Sequence, residues 1–150
     1  MKLQIRILWI MLVLLSASIS FAQDLKKHQW KDRLLLIIGK DSTELNSQIQ
    51  VLQKDISGLK ERKLIVYKIT PKAYQKGIKS GQWIPSEALY KQNKNIKESR
   101  EVILIGLDGG VKLRQTKLLT LEQLFTLIDG MPMRRNELRT KNKSKSLHPY

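Results

Sequence analysis

No cysteine occurs anywhere in the 150 residues, and that absence closes several routes at once. Disulfides, thiolate nucleophiles, zinc–thiolate sites and a lipid attached through an N-terminal Cys are all excluded. Histidine is nearly as scarce. His28 lies in a polar lead-in and His148 in a tail, with no candidate ligands beside either. Neither a metal site nor a histidine base is therefore expected, and no cofactor is. No glycine-rich run precedes Gly39-Lys40-Asp41-Ser42, so a phosphate loop lacks its cradle, and a helix cap is the better reading. Ser42 has no neighbouring glycine elbow, which leaves a serine hydrolase without a motif. Acidic residues are few. Thirteen Asp and Glu stand against 28 Lys and Arg, a formal net charge of +15. That excess favours an acidic partner or surface and says nothing about fold.

Long apolar runs are also lacking beyond the first residues. Lys2 and Arg6 precede the run Ile7 to Leu15, which is short for a membrane span, and Ser20-Phe21-Ala22 fits a small-x-small cleavage site. Residues 1–22 are expected to be a cleaved signal peptide, with Gln23 as the mature N-terminus and the protein secreted or periplasmic. Losing Lys2 and Arg6 takes the charge from +15 to +13. The remaining 128 residues suffice for a single core without covalent staples. They divide into one domain over 23–139 and a basic tail over 140–150 that has little reason to order.

What is present is an alternation of strands and helices. Leu34 to Ile38 reads as a buried strand stopped by Gly39. Asp41 caps a helix, with Glu44 three residues on, and Leu45, Ile49, Leu52, Ile56 and Leu59 form one apolar stripe. Gly58 should weaken its last turn by about 1 kcal/mol relative to Ala. Leu64 to Ile69 is a second buried strand, completing a right-handed βαβ unit. Pro71 to Pro85 reads as a lid or an insertion, anchored by Tyr74, Ile78, Trp83 and Ile84. Ser86 caps a short helix to Asn93. Glu101 to Gln115 is the organising stretch: an apolar central strand, an Asp108-Gly109-Gly110 turn with positive φ, and an alternating return strand. Thr120 and Gln123 form a capping box for a last helix that Gly130 and Pro132 end. The strand Leu34–Ile38 should lie between Leu64–Ile69 and Val102–Leu107, with the hairpin return at an edge.

Three words carry a resemblance: Trp30-Lys31-Asp32-Arg33-Leu34-Leu35-Leu36, Asp108-Gly109-Gly110-Val111-Lys112-Leu113-Arg114, and Ile128-Asp129-Gly130-Met131-Pro132-Met133-Arg134-Arg135. In this order they resemble a family of unknown function found in small exported bacterial proteins and in vertebrate sushi-repeat and related extracellular-matrix proteins. The resemblance spans Asp24 to about Arg139. It implies an α/β, thioredoxin-like fold: a central mixed sheet with helices on both faces. In that fold a redox centre would follow the first buried strand, where this chain has Gly39-Lys40-Asp41-Ser42 and no thiol. Asn95 to Glu101 also lacks the proline that commonly precedes the hairpin.

The basic words carry the functional expectation. Lys112 and Arg114 share one face of an edge strand, where cations also serve to block edge-to-edge pairing. Arg134, Arg135 and Arg139 follow the last helix, and Glu137 is the only acid between Arg134 and Lys145. Together they point to a non-catalytic exported module that binds an acidic polymer or an envelope or extracellular protein. Nucleic acid fits the charge but conflicts with export. The competing expectation is a cysteine-independent hydrolase or transferase with its site on the loops near 71–85.

Overall fold

The computed structural model describes residues 25–79, 81–95 and 97–147; the expected cleavage before Gln23 lies outside the described residues. The elements in chain order begin with β1 (Arg33–Ile38), α1 (Ser42–Gln53), α2 (Ile56–Glu61) and β2 (Leu64–Ile69). The segment expected to be a loop carries β3 (Ala73–Lys76) and β4 (Ile84–Pro85). Then come α3 (Ala88–Asn93), β5 (Glu101–Ile105), β6 (Val111–Gln115), α4 (Leu121–Asp129) and α5 (Pro132–Leu147).

Six strands form one sheet in the order β4-β3-β2-β1-β5-β6. β1 runs parallel to β2 and antiparallel to β5, so the strand expected at the centre is there, and β6 is an edge. The unbroken apolar runs have a physical cause: both faces are covered. Leu35, Ile37, Val66, Val102 and Leu104 pack under Leu45, Ile49 and Leu52 of α1, Leu59 of α2, and Leu124 and Ile128 of α4. Leu34, Leu36, Ile38, Tyr67, Ile69 and Ile103 face the other way, against Leu89 of α3 and Tyr74 of β3.

Two contacts fix the helices. Asp41 caps α1 by accepting from the Glu44 N–H at 3.1 Å, while the Glu44 carboxylate reaches back to the Lys40 N–H at 2.7 Å. Gln48 behaves like a strand partner on a helix: its amide donates to the Leu119 carbonyl and accepts from the Leu119 N–H, both at 2.8 Å and both buried. The capping box of α4 forms as expected, with 3.2 Å in each direction between Thr120 and Gln123.

Several expectations change. The long helix breaks after Gln53, because Asp55 caps a second helix through the Gly58 N–H at 2.8 Å. Gly58 is required rather than merely tolerated: a Cβ there would sit 2.8 Å from Phe125 Cζ. In the hairpin only Gly109 takes positive φ (80°). Glu87, not Ser86, is the residue before α3, and it makes no side-chain cap bond. Trp83 and Ile84 are exposed rather than anchoring, because β4 is a two-residue edge. Pro132 starts a helix instead of stopping one, since its missing N–H costs nothing in the first turn. That helix continues to Leu147, so the stretch 140–147, expected to be a disordered tail, is helical. Once the first turns are docked, each added residue extends the helix at little cost.

Candidate functional site

The basic residues expected to bind together, whose shared face the sequence left open, divide into those paired with carboxylates of the fold and those on an outward helix face. Lys112 reaches Asp108 at 2.6 Å. Arg114 turns over the sheet and pairs with Glu101, which is fully buried, while its Nη1 also donates to the Asn93 carbonyl at 2.9 Å. The other oxygen of Glu101 accepts from Lys94 at 3.4 Å and from the Asn95 N–H at 3.2 Å. Glu101 sits opposite Ile38, the last residue of β1. A buried carboxylate held by two cations and a backbone donor organises the corner where α3, β5 and β6 meet.

Arg134 is drawn inward at the other end of β1. Its guanidinium meets Asp129 at 3.1 Å, Glu61 at 3.3 Å and Glu137 at 3.4 Å, and it is buried. Glu137 also holds Arg33, the first residue of β1, whose fully buried guanidinium donates to the Arg62 carbonyl at 2.9 Å. Arg62 in turn pairs with Asp129 and lies 3.9 Å from the centre of the Phe125 ring. Arg33 and Arg134 thus anchor α5 against the start of β1 and the end of α2. The Arg134 cluster meets β1 at Arg33 and the Glu101 cluster meets it at Ile38, positions about 17 Å apart at the usual rise per strand residue.

Burial pushes the Asp129 carboxyl up, but hydrogen bonds from Arg62 and Arg134, with their charges, outweigh it and hold it below its usual value. A depressed carboxyl stabilises fully above its unfolded value of about 3.9 and loses that contribution as pH falls through the folded value. Asp129→Asn is therefore expected to cost about 1–2 kcal/mol near neutral pH and almost nothing once the pH has fallen below the folded value. Thermal unfolding followed from neutral pH into acid checks this. An acid limb as steep as that of the parent protein would assign the acid sensitivity to other carboxylates.

The outward group lies on α5. Helical spacing puts Arg134, Glu137, Leu138 and Lys141 on the docked side, with Lys141 reaching Glu61 at 3.2 Å. Arg135, Arg139 and Lys143 follow one another at steps of four and are exposed on the opposite side. Of the five residues expected to bind a polyanion, only Arg135 and Arg139 share such a surface.

A second feature lies at the carboxyl ends of β1 and β2. A cleft of about 450 Å³ is bounded there by Lys40, Asp41 and Ser42 on one side and by Thr70 to Ala73 and Trp83 on the other. The expectation that Gly39-Lys40-Asp41-Ser42 is a cap holds for Asp41, yet the same stretch also forms a cleft wall. The signal was available in the sequence: each of two parallel strand ends is followed within three residues by a lysine. The other part missed is His28. It is buried, with Nδ1 2.7 Å from Asp32 and Nε2 2.9 Å from the Tyr67 hydroxyl, and it ties the lead-in to the sheet. His28 does not line the cleft. Among the described residues Ser42 therefore has no imidazole beside it to act as a base.

Among the described residues no helix is long and apolar enough to cross a membrane. Comparison with solved structures finds the reduced 2-Cys peroxiredoxin of Plasmodium vivax, with a TM-score of 0.54 and 14% identity over 75% of this chain and 72% of that one. This likeness establishes a thioredoxin-like fold. Without a cysteine, the chain is not a thiol peroxidase. No curated protein matches. The family described as a domain of unknown function, DUF4174, matches residues 24–137, and the chain belongs to that family.

Proposed function

We propose that the protein is an exported, non-catalytic thioredoxin-like module that binds an acidic polymer through the outward face of α5. The observation that supports this is the pair Arg135 and Arg139, exposed four residues apart on a helix whose other side is fastened to the body. A fixed pair of cations meets a polyanion without the cost of ordering a loose tail, and release of the polymer's counterions drives binding. Arginine adds two-pronged hydrogen bonding to sulfate or phosphate groups. Lys112, Arg114 and Arg134 are assigned to holding the fold together, because each already faces a carboxylate.

Retention on immobilised heparin across a salt gradient tests the reading. The Arg135→Gln/Arg139→Gln double variant is expected to elute at clearly lower salt. Its plot of log affinity against log salt should lose about two units of slope, since each engaged cation contributes roughly one. Unchanged elution of the double variant would remove α5 from the function.

A further inference from the structure

The cleft at the ends of β1 and β2 shares no lining residue with the outward face of α5. In an open α/β sheet the crevice beyond the carboxyl ends of parallel strands is where the chain diverges and leaves room for a ligand. Here β1 and β2 end in register at Ile38 and Ile69, and the β3–β4 segment builds a wall over the opening. The charges in this opening are unevenly committed. The Asp41 carboxylate accepts the Glu44 N–H, and the Glu44 carboxylate accepts the Lys40 N–H, so both acids are engaged by backbone. Lys40 and Lys72 line the cleft and are exposed. The Glu87 carboxyl is held down chiefly by its hydrogen bond and ion pair with Lys91, at 2.6 Å, and least by the charge of Lys72.

Two further observations concern the wall itself. Trp83 presents a partly exposed indole to the cleft, in a protein with only three tryptophans. An aromatic face left open at the mouth of a cavity is a stacking surface for a flat apolar group. Ser86 does not line the cleft, but its N–H steadies the Lys72 backbone by donating to the Lys72 carbonyl at 2.9 Å. We infer that the cleft binds a small organic anion bearing a flat ring. Its carboxylate or phosphate would lie between Lys40 and Lys72, and its ring against Trp83.

Phenyl phosphate, inorganic phosphate and phenol separate the contributions, with amide and indole resonances of the intact protein as the readout. Phenyl phosphate is expected to shift Trp83 and the amides of Lys40, Ser42 and Ala73 saturably. It should bind about tenfold or more tightly than inorganic phosphate, and phenol should show no saturation over the same range. Lys40→Gln/Lys72→Gln should weaken phenyl phosphate by about tenfold or more, as expected for losing charge-assisted hydrogen bonds. Trp83→Ala should reduce it to the level of inorganic phosphate. Arg135→Gln/Arg139→Gln should leave it unchanged, so failure here and failure of the α5 reading are distinguishable. All substituted side chains are exposed, and retained dispersion of the amide spectrum establishes that each variant is folded. Absence of saturable shifts at the cleft, shifts confined to α5, or undiminished affinity in the double lysine variant would each overturn the inference.

Discussion

Glu101→Ala is expected to lower the unfolding free energy by about 3–5 kcal/mol, the usual consequence of removing one partner from a buried ion pair. The carboxylate is fully buried and answers Arg114, Lys94 and the Asn95 N–H together. Its loss leaves two cations and a backbone donor facing a cavity. Glu101→Gln keeps the volume and one acceptor oxygen, so it should cost less. Arg114→Ala added to Glu101→Ala should cost less than the sum of the two single changes, because the second change removes a cation already stranded. Chemical denaturation of the parent and the four variants measures this. A loss under about 1 kcal/mol for Glu101→Ala would mean that water reaches the cluster on little provocation.

Leu52→Ala should cost about 2–5 kcal/mol, by lost transfer free energy and by the cavity it leaves. Leu52 is fully buried under α1, against the face of the sheet that carries Leu35, Ile37 and Leu104. Val51, its neighbour in α1, is only partly buried and should cost appreciably less when cut back to alanine. Denaturation midpoints give the comparison. A loss for Leu52→Ala below about 0.5 kcal/mol, typical of a surface site, would mean that the stripe is not core.

The strand order and the core stripes could be read from the chain because apolar periodicity reports burial directly. Leu34 to Ile38 and Val102 to Leu104 are apolar at every position, and every one is buried. The break at Lys54-Asp55 was hidden for the same reason. Leu52, Ile56 and Leu59 keep helical spacing across it, so the pattern cannot distinguish one helix from two. Charged residues were the least readable. Arg33, Glu101 and Arg134 look like solvent-facing ends of elements, since a sequence shows a charge but not the partner that arrives from a distant segment. Arg33 meets a residue 104 positions away, and Arg134 one 73 positions away. That also explains the fate of the candidate site. Spacing alone predicted a basic cluster, and only the docking of α5 decided that Arg135 and Arg139 face outward while Arg134 does not. The cleft was missed because its lysines and Trp83 come from three separate loops.

The Gln48–Leu119 pair has a consequence for how the molecule breathes. Because one side-chain amide satisfies both the N–H and the carbonyl of Leu119, α4 cannot lift away with Leu119 without leaving four polar groups unpaired. Each orphaned group costs about 1–3 kcal/mol, so partial opening of α4 is penalised well beyond the apolar contacts it gives up. The same penalty falls on α1 if it moves first. Two helices 68 residues apart in the chain are thereby merged into one cooperative unit, which opens together or not at all. Within that unit the amide of Leu119 has no cheap route to solvent. The lever is a single glutamine on the helix face that an apolar stripe would otherwise have filled.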